Sequence, residues 1–226
     1  MVVYSRNDEN ARETARTVKS LGRKALISKT DVSDAKAVGA LFQRVARELG
    51  RMDILVNNAG VWLVGPLVDL PEESWDRVLD VDLKGTYLCT QAFARHLKTA
   101  GKKGRVGKVV NIGSVHGTRP WRGASNYAAA KAGLVNLTRA MALELAEYSI
   151  TVNVVSPGAI AAGGNAAKSK DPAALKQVET EVPLKRMGRP EEVAKVVAFL
   201  VGREGDYITG AEIVIDGGLL LYPYTV

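Results

Sequence analysis

Tyr127 and Lys131 lie four residues apart in Tyr127-Ala128-Ala129-Ala130-Lys131, thirteen residues after Ser114. On a helix the two share one face, a single turn apart, so an ammonium can sit beside a phenol without strain. A free phenol gives up its proton near pH ~10, and a neighbouring cation favours the phenolate, which moves tyrosine toward acid–base work near neutrality. A serine just past a strand end can donate to a carbonyl or accept from an alcohol while the tyrosine moves the proton. The chemistry on offer is proton exchange with an alcohol or carbonyl oxygen beside a redox ring. The same five residues are also ordinary helix-forming sequence. Specificity comes from order along the chain: an Asn-rich corner, a strand-end serine, the Tyr/Lys pair, and a strand ending in Ser156-Pro157-Gly158.

Elements that can position these groups are legible in the hydrophobic pattern. Short apolar runs predict strands over Val2–Tyr4, Ala25–Ser28, Ile54–Val56, Lys108–Ile112, Ile150–Val155 and Glu212–Ile215. Helical spacing covers Glu9–Leu21, Asp34–Leu49, Glu72–Leu97, Ser125–Tyr148 and Pro190–Val201, with Asp34 and Pro190 as start signals. The alternation predicts one α/β domain over residues 1–226, a doubly wound, mostly parallel, Rossmann-like sheet with helices on both faces. Ligands of such sheets collect at the carboxyl ends of the strands, where Asp31, Asn57, Ser114 and Pro157 all fall. The Ala/Gly-rich stretch Ala159–Ala167 reads as a mobile loop.

Two further corners are ambiguous. In Asn57-Asn58-Ala59-Gly60 the small residues let backbone approach a flat ligand while Asn57 ties neighbouring strands, yet Asn and Gly crowd into ordinary turns. Asp31, followed by Val32, can accept from an adenine amino group or can cap the helix that begins near Asp34.

Composition removes several function classes. The single cysteine, Cys89, forms no intramolecular disulfide, and neither a secretory segment nor an apolar run of spanning length is present, so a cytoplasmic protein without membrane contact is expected. Lys and Arg outnumber Asp and Glu by 31 to 24, a formal charge of +7. The basic clusters Arg12/Arg16/Lys19/Arg23/Lys24 and Lys102/Lys103/Arg105/Lys108 lack interleaved aromatics to stack bases, which speaks against nucleic acid. Two separated histidines, His96 and His116, with no cysteine partners make no recognisable metal site.

Asn57-Asn58-Ala59-Gly60, Ser114, Tyr127 to Lys131, Asn153 with Pro157-Gly158, and Asp216-Gly217-Gly218 closely resemble the short-chain dehydrogenase/reductases over essentially the whole chain. Ser114-Val115-His116, Pro120-Trp121, Pro157-Gly158-Ala159-Ile160, Asn165 and Leu221-Tyr222-Pro223 look most like the glucose 1-dehydrogenase branch. The resemblance implies Tyr127 as catalytic acid/base, Lys131 on the nicotinamide ribose and lowering the tyrosine pKa, and Ser114 orienting substrate. Pro157, Gly158 and Ile160 would pack on the nicotinamide; Asp31, Val32, Asn57, Ala59 and Gly60 would line the rest of the cofactor site. His116, Trp121 and Asn165 would face the substrate. A homotetramer, assembled through the two long helices and the last strand, is also implied.

The chain departs from this pattern in three places. The family's helix asparagine, part of the proton relay through its backbone, corresponds to Asp82, whose charge bears on neighbouring titrations. The threonine that follows the family's Ile160 counterpart is replaced by Ala161-Ala162. Third, the first strand and its glycine-rich phosphate loop, roughly thirty residues in such folds, do not precede Val2, so an N-terminally truncated domain is expected. That strand is the central one of the order 3-2-1-4-5-6, and a buried gap would leave backbone groups unsatisfied; local rearrangement is expected in its place.

Cofactor choice rests on Ser5-Arg6. NAD-preferring members resemble one another in an acidic residue at this strand end, whereas Arg6 offers a guanidinium suited to a 2′-phosphate, so NADP is expected over NAD. The leading expectation is an NAD(P)-dependent oxidoreductase acting on a secondary alcohol, ketone or sugar hemiacetal. A 3-oxoacyl-carrier-protein reductase is the runner-up, suited by the basic surface to an acidic carrier. A catalytically impaired homologue that oligomerises or binds nucleotide weakly is the alternative of another class.

Overall fold

A computed structural model describes residues 1–100, 106–162, 165 and 168–221. Lys102, Lys103 and Arg105 of the second basic cluster, Tyr222-Pro223, and part of the Ala159–Ala167 loop lie outside the described residues. Six strands are present: β1 Val2–Tyr4, β2 Ile27–Lys29, β3 Ile54–Asn57, β4 Gly107–Ile112, β5 Ile150–Pro157 and β6 Glu212–Ile215. Seven α-helices connect or flank them: α1 Asp8–Ser20, α2 Ala35–Leu49, α3 Glu72–Leu79, α4 Gly85–Ala100, α5 Ser125–Leu145, α6 Pro172–Glu181 and α7 Pro190–Val201. Strand pairing is parallel throughout, as β-α-β connections require. The second predicted strand is shifted two residues along, and α6, whose short amphipathic stretch was not read from the sequence, follows Asp171 as side-chain cap and Pro172 at its first turn.

β4 and β5 are covered on both faces, which explains their unbroken apolar runs. Val109 and Val152 point into a cluster with Phe93, Leu97 and Met141 from α4 and α5. Their neighbours Val110 and Val155 point the other way, against Leu200, Val193 and Val197 of α7. The four valines are 0–1% exposed, and each contributes on the order of 1.5–3 kcal/mol of apolar burial. α5 presents Ala128, Ala130, Leu134, Val135, Met141 and Ala142 at helical spacing on its buried side.

The sheet is split. β1 pairs only with β2, while β3, β4, β5 and β6 form a separate four-stranded ladder in that order. The rearrangement expected from the sequence does not occur, because the free edge is wet and incurs no burial penalty. Ile54 and Val56 on β3 are 51% and 42% exposed, and Val3 on β1 is 39% exposed. The two units are joined from the side: α2 packs on α4, and Arg77 of α3 reaches Asp31 at 2.9 Å and the Ser33 hydroxyl at 2.8 Å.

The long helix expected over Glu72–Leu97 is interrupted. Asp80–Lys84 forms a π-helical turn between α3 and α4, with the Gly85 amide donating to the Asp80 carbonyl. Such wide turns push a residue out of helical register, and here the residue turned into the interior is Asp82. Basic residues of α1 face solvent, and of this helix only Ala11 and Ala15 are buried.

Candidate active site

A side-chain network first fixes the strand ends. Asn57 at the end of β3 donates to Asn111 of β4 at 2.9 Å and to Thr90 of α4 at 3.1 Å; Asn111 in turn donates to Thr138 of α5 at 2.9 Å. Asn57 therefore does what its tying role predicted, with both short contacts made to protein. Asn153 does the same farther along, donating to the Ile208 carbonyl at 2.8 Å and accepting from the Ala211 amide at 3.0 Å. Ser156 of β5 donates to Glu212 of β6 at 2.7 Å.

Ser114 follows β4 in extended backbone and accepts from the His116 amide at 3.2 Å, capping a single 3-10 turn over Val115–Gly117. With its oxygen occupied by that amide, the hydroxyl proton of this buried serine is free to turn toward a second oxygen. Tyr127 lies in the first turn of α5, and the Ser114 hydroxyl is within reach of its phenol. Lys131, one turn further, is 4% exposed; its Nζ donates to the Ile112 carbonyl at 3.0 Å and stands 5.4 Å from the Tyr127 ring centre. Ser114, after β4, and Lys131, on α5, thus both stand beside the Tyr127 side chain.

Asp82 closes the group from below. Its Oδ1 accepts from the Val61 amide at 2.8 Å, and its Oδ2 meets Lys131 Nζ at 3.2 Å, with no hydrogen bond of good geometry on that oxygen. Gly60 is where it is because of this carboxylate: a Cβ there would stand 3.0 Å from Asp82 Oδ2. Burial raises the Asp82 pKa, partly offset by the Lys131 charge and the Val61 amide. The Tyr127 phenol is pushed up to about 12, first by burial and then by the Asp82 charge, with Ser114 acting in the opposite sense. This runs against the expectation of a phenol brought toward neutrality by Lys131, first because the phenol is buried and second because of the Asp82 charge, whose carboxylate stands 3.2 Å from that ammonium.

Aromatic rings stand around Tyr127. Trp62, which the sequence reading did not single out, meets Tyr127 edge to face at 4.7 Å between ring centres, and His116 stands 6.0 Å from Trp62, from Tyr127 and from Trp121. Burial lowers the His116 pKa, partly offset by the Arg119 carbonyl 3.3 Å from Nδ1. Buried Asn126 holds the Trp62 loop, donating to the Leu63 carbonyl at 2.8 Å and the Ser74 carbonyl at 3.3 Å while accepting from the Tyr127 amide. The available signal for both residues was adjacency: Asn126 precedes Tyr127, and Trp62 closes the Asn57–Gly60 corner.

Other expected positions fall in different surroundings. Pro157 ends β5 opposite Ile215, and the Gly158 amide donates to the Ile215 carbonyl at 2.9 Å. Ile160 pairs with Gly188 beside this edge. Asp31 caps no helix; that role belongs to Asp34, and Asp31 is held by Ser33 and Arg77, which keep its pKa below the usual carboxylate value. Val32 packs against Gly85. Ala59 is exposed beside Gly60, and Arg6 is exposed beyond β1. Asn165 bonds through its amide to the Ala162 carbonyl at 3.0 Å, and among the described residues it joins no contact around Tyr127.

These residues fit the nicotinamide end of a dinucleotide. A lysine ammonium carries three protons. Ile112 engages one of them by hydrogen bond and Asp82 faces the ammonium as an ion pair, which leaves a proton for a ribose hydroxyl beside the Tyr127 phenol. The pyrophosphate end is different: among the described residues, no glycine-rich turn opens a helix at the carboxyl ends of β1 and β3. No cluster of three or more His, Cys, Asp or Glu is placed to hold a metal, and no helix is long and apolar enough to cross a membrane, again among the described residues.

Parallel strands, a Ser/Tyr/Lys convergence at their carboxyl ends and a half-built nicotinamide cradle define a doubly wound oxidoreductase. Residues 1–220 match the family model described as enoyl-(acyl carrier protein) reductase. Glucose 1-dehydrogenase 2 of Bacillus subtilis (strain 168) is 36% identical over 99% of this chain and 85% of its own length. The 3beta-hydroxysteroid dehydrogenase 1 of Eggerthella lenta is 38% identical over 97% of this chain and 83% of its own. The crystal structure of acetoin dehydrogenase from Enterobacter cloacae superposes with a TM-score of 0.87 at 37% identity, covering 100% of this chain and 86% of that one. The chain belongs to the short-chain dehydrogenase/reductase family and is an NAD(P)-dependent oxidoreductase of that family.

Proposed function

We propose that the chain exchanges a hydride with the carbon of a secondary alcohol or ketone, with a sugar hemiacetal as the preferred substrate and NADP as the preferred cofactor. The observation that supports this reading is that Ser114 and Lys131 both stand beside the Tyr127 side chain. When bound, the nicotinamide supplies or takes up the hydride. Ser114 donates to the substrate oxygen, and Tyr127 gives that oxygen a proton on reduction or takes one on oxidation. Lys131 holds the ribose and steadies the charge that appears on the phenol. Trp62 and Trp121 offer apolar walls to a ring face, and His116, held neutral by burial, offers a hydrogen bond from between them.

Exposed Arg6 supports NADP by offering a bidentate partner to a 2′-phosphate beyond β1. Titration with the two oxidised cofactors tests this, tighter or equal NAD binding being the contrary result. A homotetramer is supported by apolar side chains left open on the expected interface elements, Leu143 on α5 at 82% and Val214 on β6 at 40% exposure. Light scattering in solution decides it. A cytoplasmic location completes the reading.

The acyl carrier named in the family description, the similarity to a 3-oxoacyl-[acyl-carrier-protein] reductase of Staphylococcus aureus and the exposed basic face of α1 favour a second reading, reduction of a 3-oxoacyl group on an acidic carrier. Turnover of glucose against an acetoacetyl thioester separates the two. In either case Tyr127→Phe lowers turnover by roughly 10²–10⁴-fold, the usual worth of a positioned acid or base. Equal rates for the variant and the parent chain point to the non-catalytic alternative.

A further inference from the structure

Asp82 brings a carboxyl group into the buried interior of the site, directly against the Lys131 ammonium. Its side chain is 0% exposed and Lys131 is 5% exposed at the side chain, and the two charged ends are 3.2 Å apart. Lys131 also leans toward the Tyr127 ring. The π-helical turn over Asp80–Lys84 aims Asp82 inward, and the Val61 amide and the bare Cα of Gly60 leave the carboxylate room on the other side. Other charges on the surrounding elements are engaged elsewhere. Arg77 on α3 is turned to Asp31, and Lys84 on the same turn pairs with Asp80 at 2.9 Å in solvent. His116, from the 3-10 turn after β4, is buried and favours its neutral form. Glu72, Glu73 and Asp76 on α3 are exposed, and α4 brings no charged residue into its first turns. Among the described residues of these elements, Lys131 and Asp82 are the charged pair beside the phenol.

We propose that Asp82 is a charge-setting residue for Tyr127: by compensating Lys131 inside the site, it keeps the phenol protonated and poises the chain as a proton donor to a carbonyl. Proton acceptance from an alcohol then becomes efficient only in alkaline solution. This rests on the oxidoreductase reading for its catalytic consequence, while its electrostatic core concerns the free protein. The rise of the Tyr127 phenol agrees in direction, the Asp82 charge being its second cause after burial.

The test begins without cofactor or substrate. Tyrosinate absorbance is followed against pH in the parent chain, in Asp82→Asn, and in Tyr127→Phe versions of each, so that the difference isolates Tyr127 from the other six tyrosines of the seven. Circular dichroism at each pH keeps the readings to folded protein. The parent shows no Tyr127 step below the range where other tyrosines titrate, whereas Asp82→Asn brings the step down by about one unit or more. Lys131→Met provides an independent arm, because it leaves Asp82 uncompensated and moves the step upward, and it keeps the question answerable where Asp82→Asn does not fold. A Tyr127 midpoint unmoved by either substitution overturns the proposal.

The catalytic consequence is read from the pH profile of kcat/KM for an alcohol. Asp82→Asn moves the alkaline rise to lower pH by the same interval as the spectroscopic step. A shifted step with an unshifted profile overturns the catalytic part. If no alcohol or ketone turns over, the absorbance titration still decides the electrostatic part, so that failure of the function reading is not mistaken for failure of this one.

Discussion

The rings of Tyr127 and Trp62 meet edge to face at 4.7 Å between centres, with the planes inclined at 68°. Trp62 belongs to a loop, yet Asn126, the residue before Tyr127, pins that loop by donating to the carbonyl of Leu63. The phenol and the indole are thus located by adjacent residues of one helix start, which ties the placement of one ring to that of the other.

Removing the wall should separate binding from chemistry. An edge-to-face pair is worth about 0.5–1.5 kcal/mol beyond its buried area. Trp62→Ala is expected to raise KM for a cyclic substrate about three- to tenfold, with a smaller change in kcat, in steady-state measurements. A fall in kcat with KM untouched would mean that Trp62 positions Tyr127 and does not line the substrate.

Asn111 is 0% exposed and links three elements through one amide group. Asn111→Ala removes the acceptor for Asn57 and the donor to Thr138 together. Each buried group left without its partner costs about 1–3 kcal/mol. Urea unfolding of Asn111→Ala should show a loss of about 2 kcal/mol or more, with an unchanged m-value. Asn153→Ala, which serves the far end of β5, should behave similarly, since its amide also bridges two separate backbone groups.

Some of this was readable from residues alone and some was not. The strand ends and the Ser114, Tyr127 and Lys131 convergence follow from local pattern, because a parallel sheet brings every carboxyl end to one edge. The tying role of Asn57 was readable for the same reason. The interruption of the helix after Leu79 was not, since Asp80–Lys84 keeps helical composition and only the inward turn of Asp82 distinguishes it. The sign of the Tyr127 shift is hidden for a related reason: spacing shows that Lys131 is near, and it shows neither that the phenol is buried nor that a carboxylate lies 3.2 Å from the ammonium. Pairing between β1 and β3 depends on the competition between edge exposure and rearrangement, which local sequence does not report.

The free edge of β3 makes its own prediction. Val56 is the register partner of Val110, so its side chain lies on the face that α7 covers farther along, where it is left 42% exposed. Open strand edges with apolar side chains template pairing between molecules, and a lysine placed on them blunts it. Val56→Lys should lower concentration-dependent association in sedimentation velocity, while the far-ultraviolet circular dichroism stays the same. Association of equal strength in the variant would locate the sticky surface elsewhere, for instance at Leu143 on α5.

Glu192 links the surface to the cofactor edge. It accepts from Arg186 through both oxygens, at 2.7 and 2.8 Å, and from the Arg189 amide at 2.8 Å. Between those arginines lies Gly188, which pairs with Ile160 after the end of β5. The Arg186 contacts and the Arg189 amide lower the Glu192 pKa from 4.5 to about 2. A carboxylate whose pKa is depressed on folding binds protons more tightly in the unfolded chain, so its contribution is present above pH 4.5 and fades as the pH falls toward 2. Solvent exposure keeps that contribution modest. Glu192→Gln should therefore show a lower Tm than the parent chain at pH 7, with the two converging as the pH is lowered through the 4.5 to 2 window. A Tm gap that stays constant across this window would trace the loss to the Arg189 hydrogen bond and packing, and the charge would carry none of it.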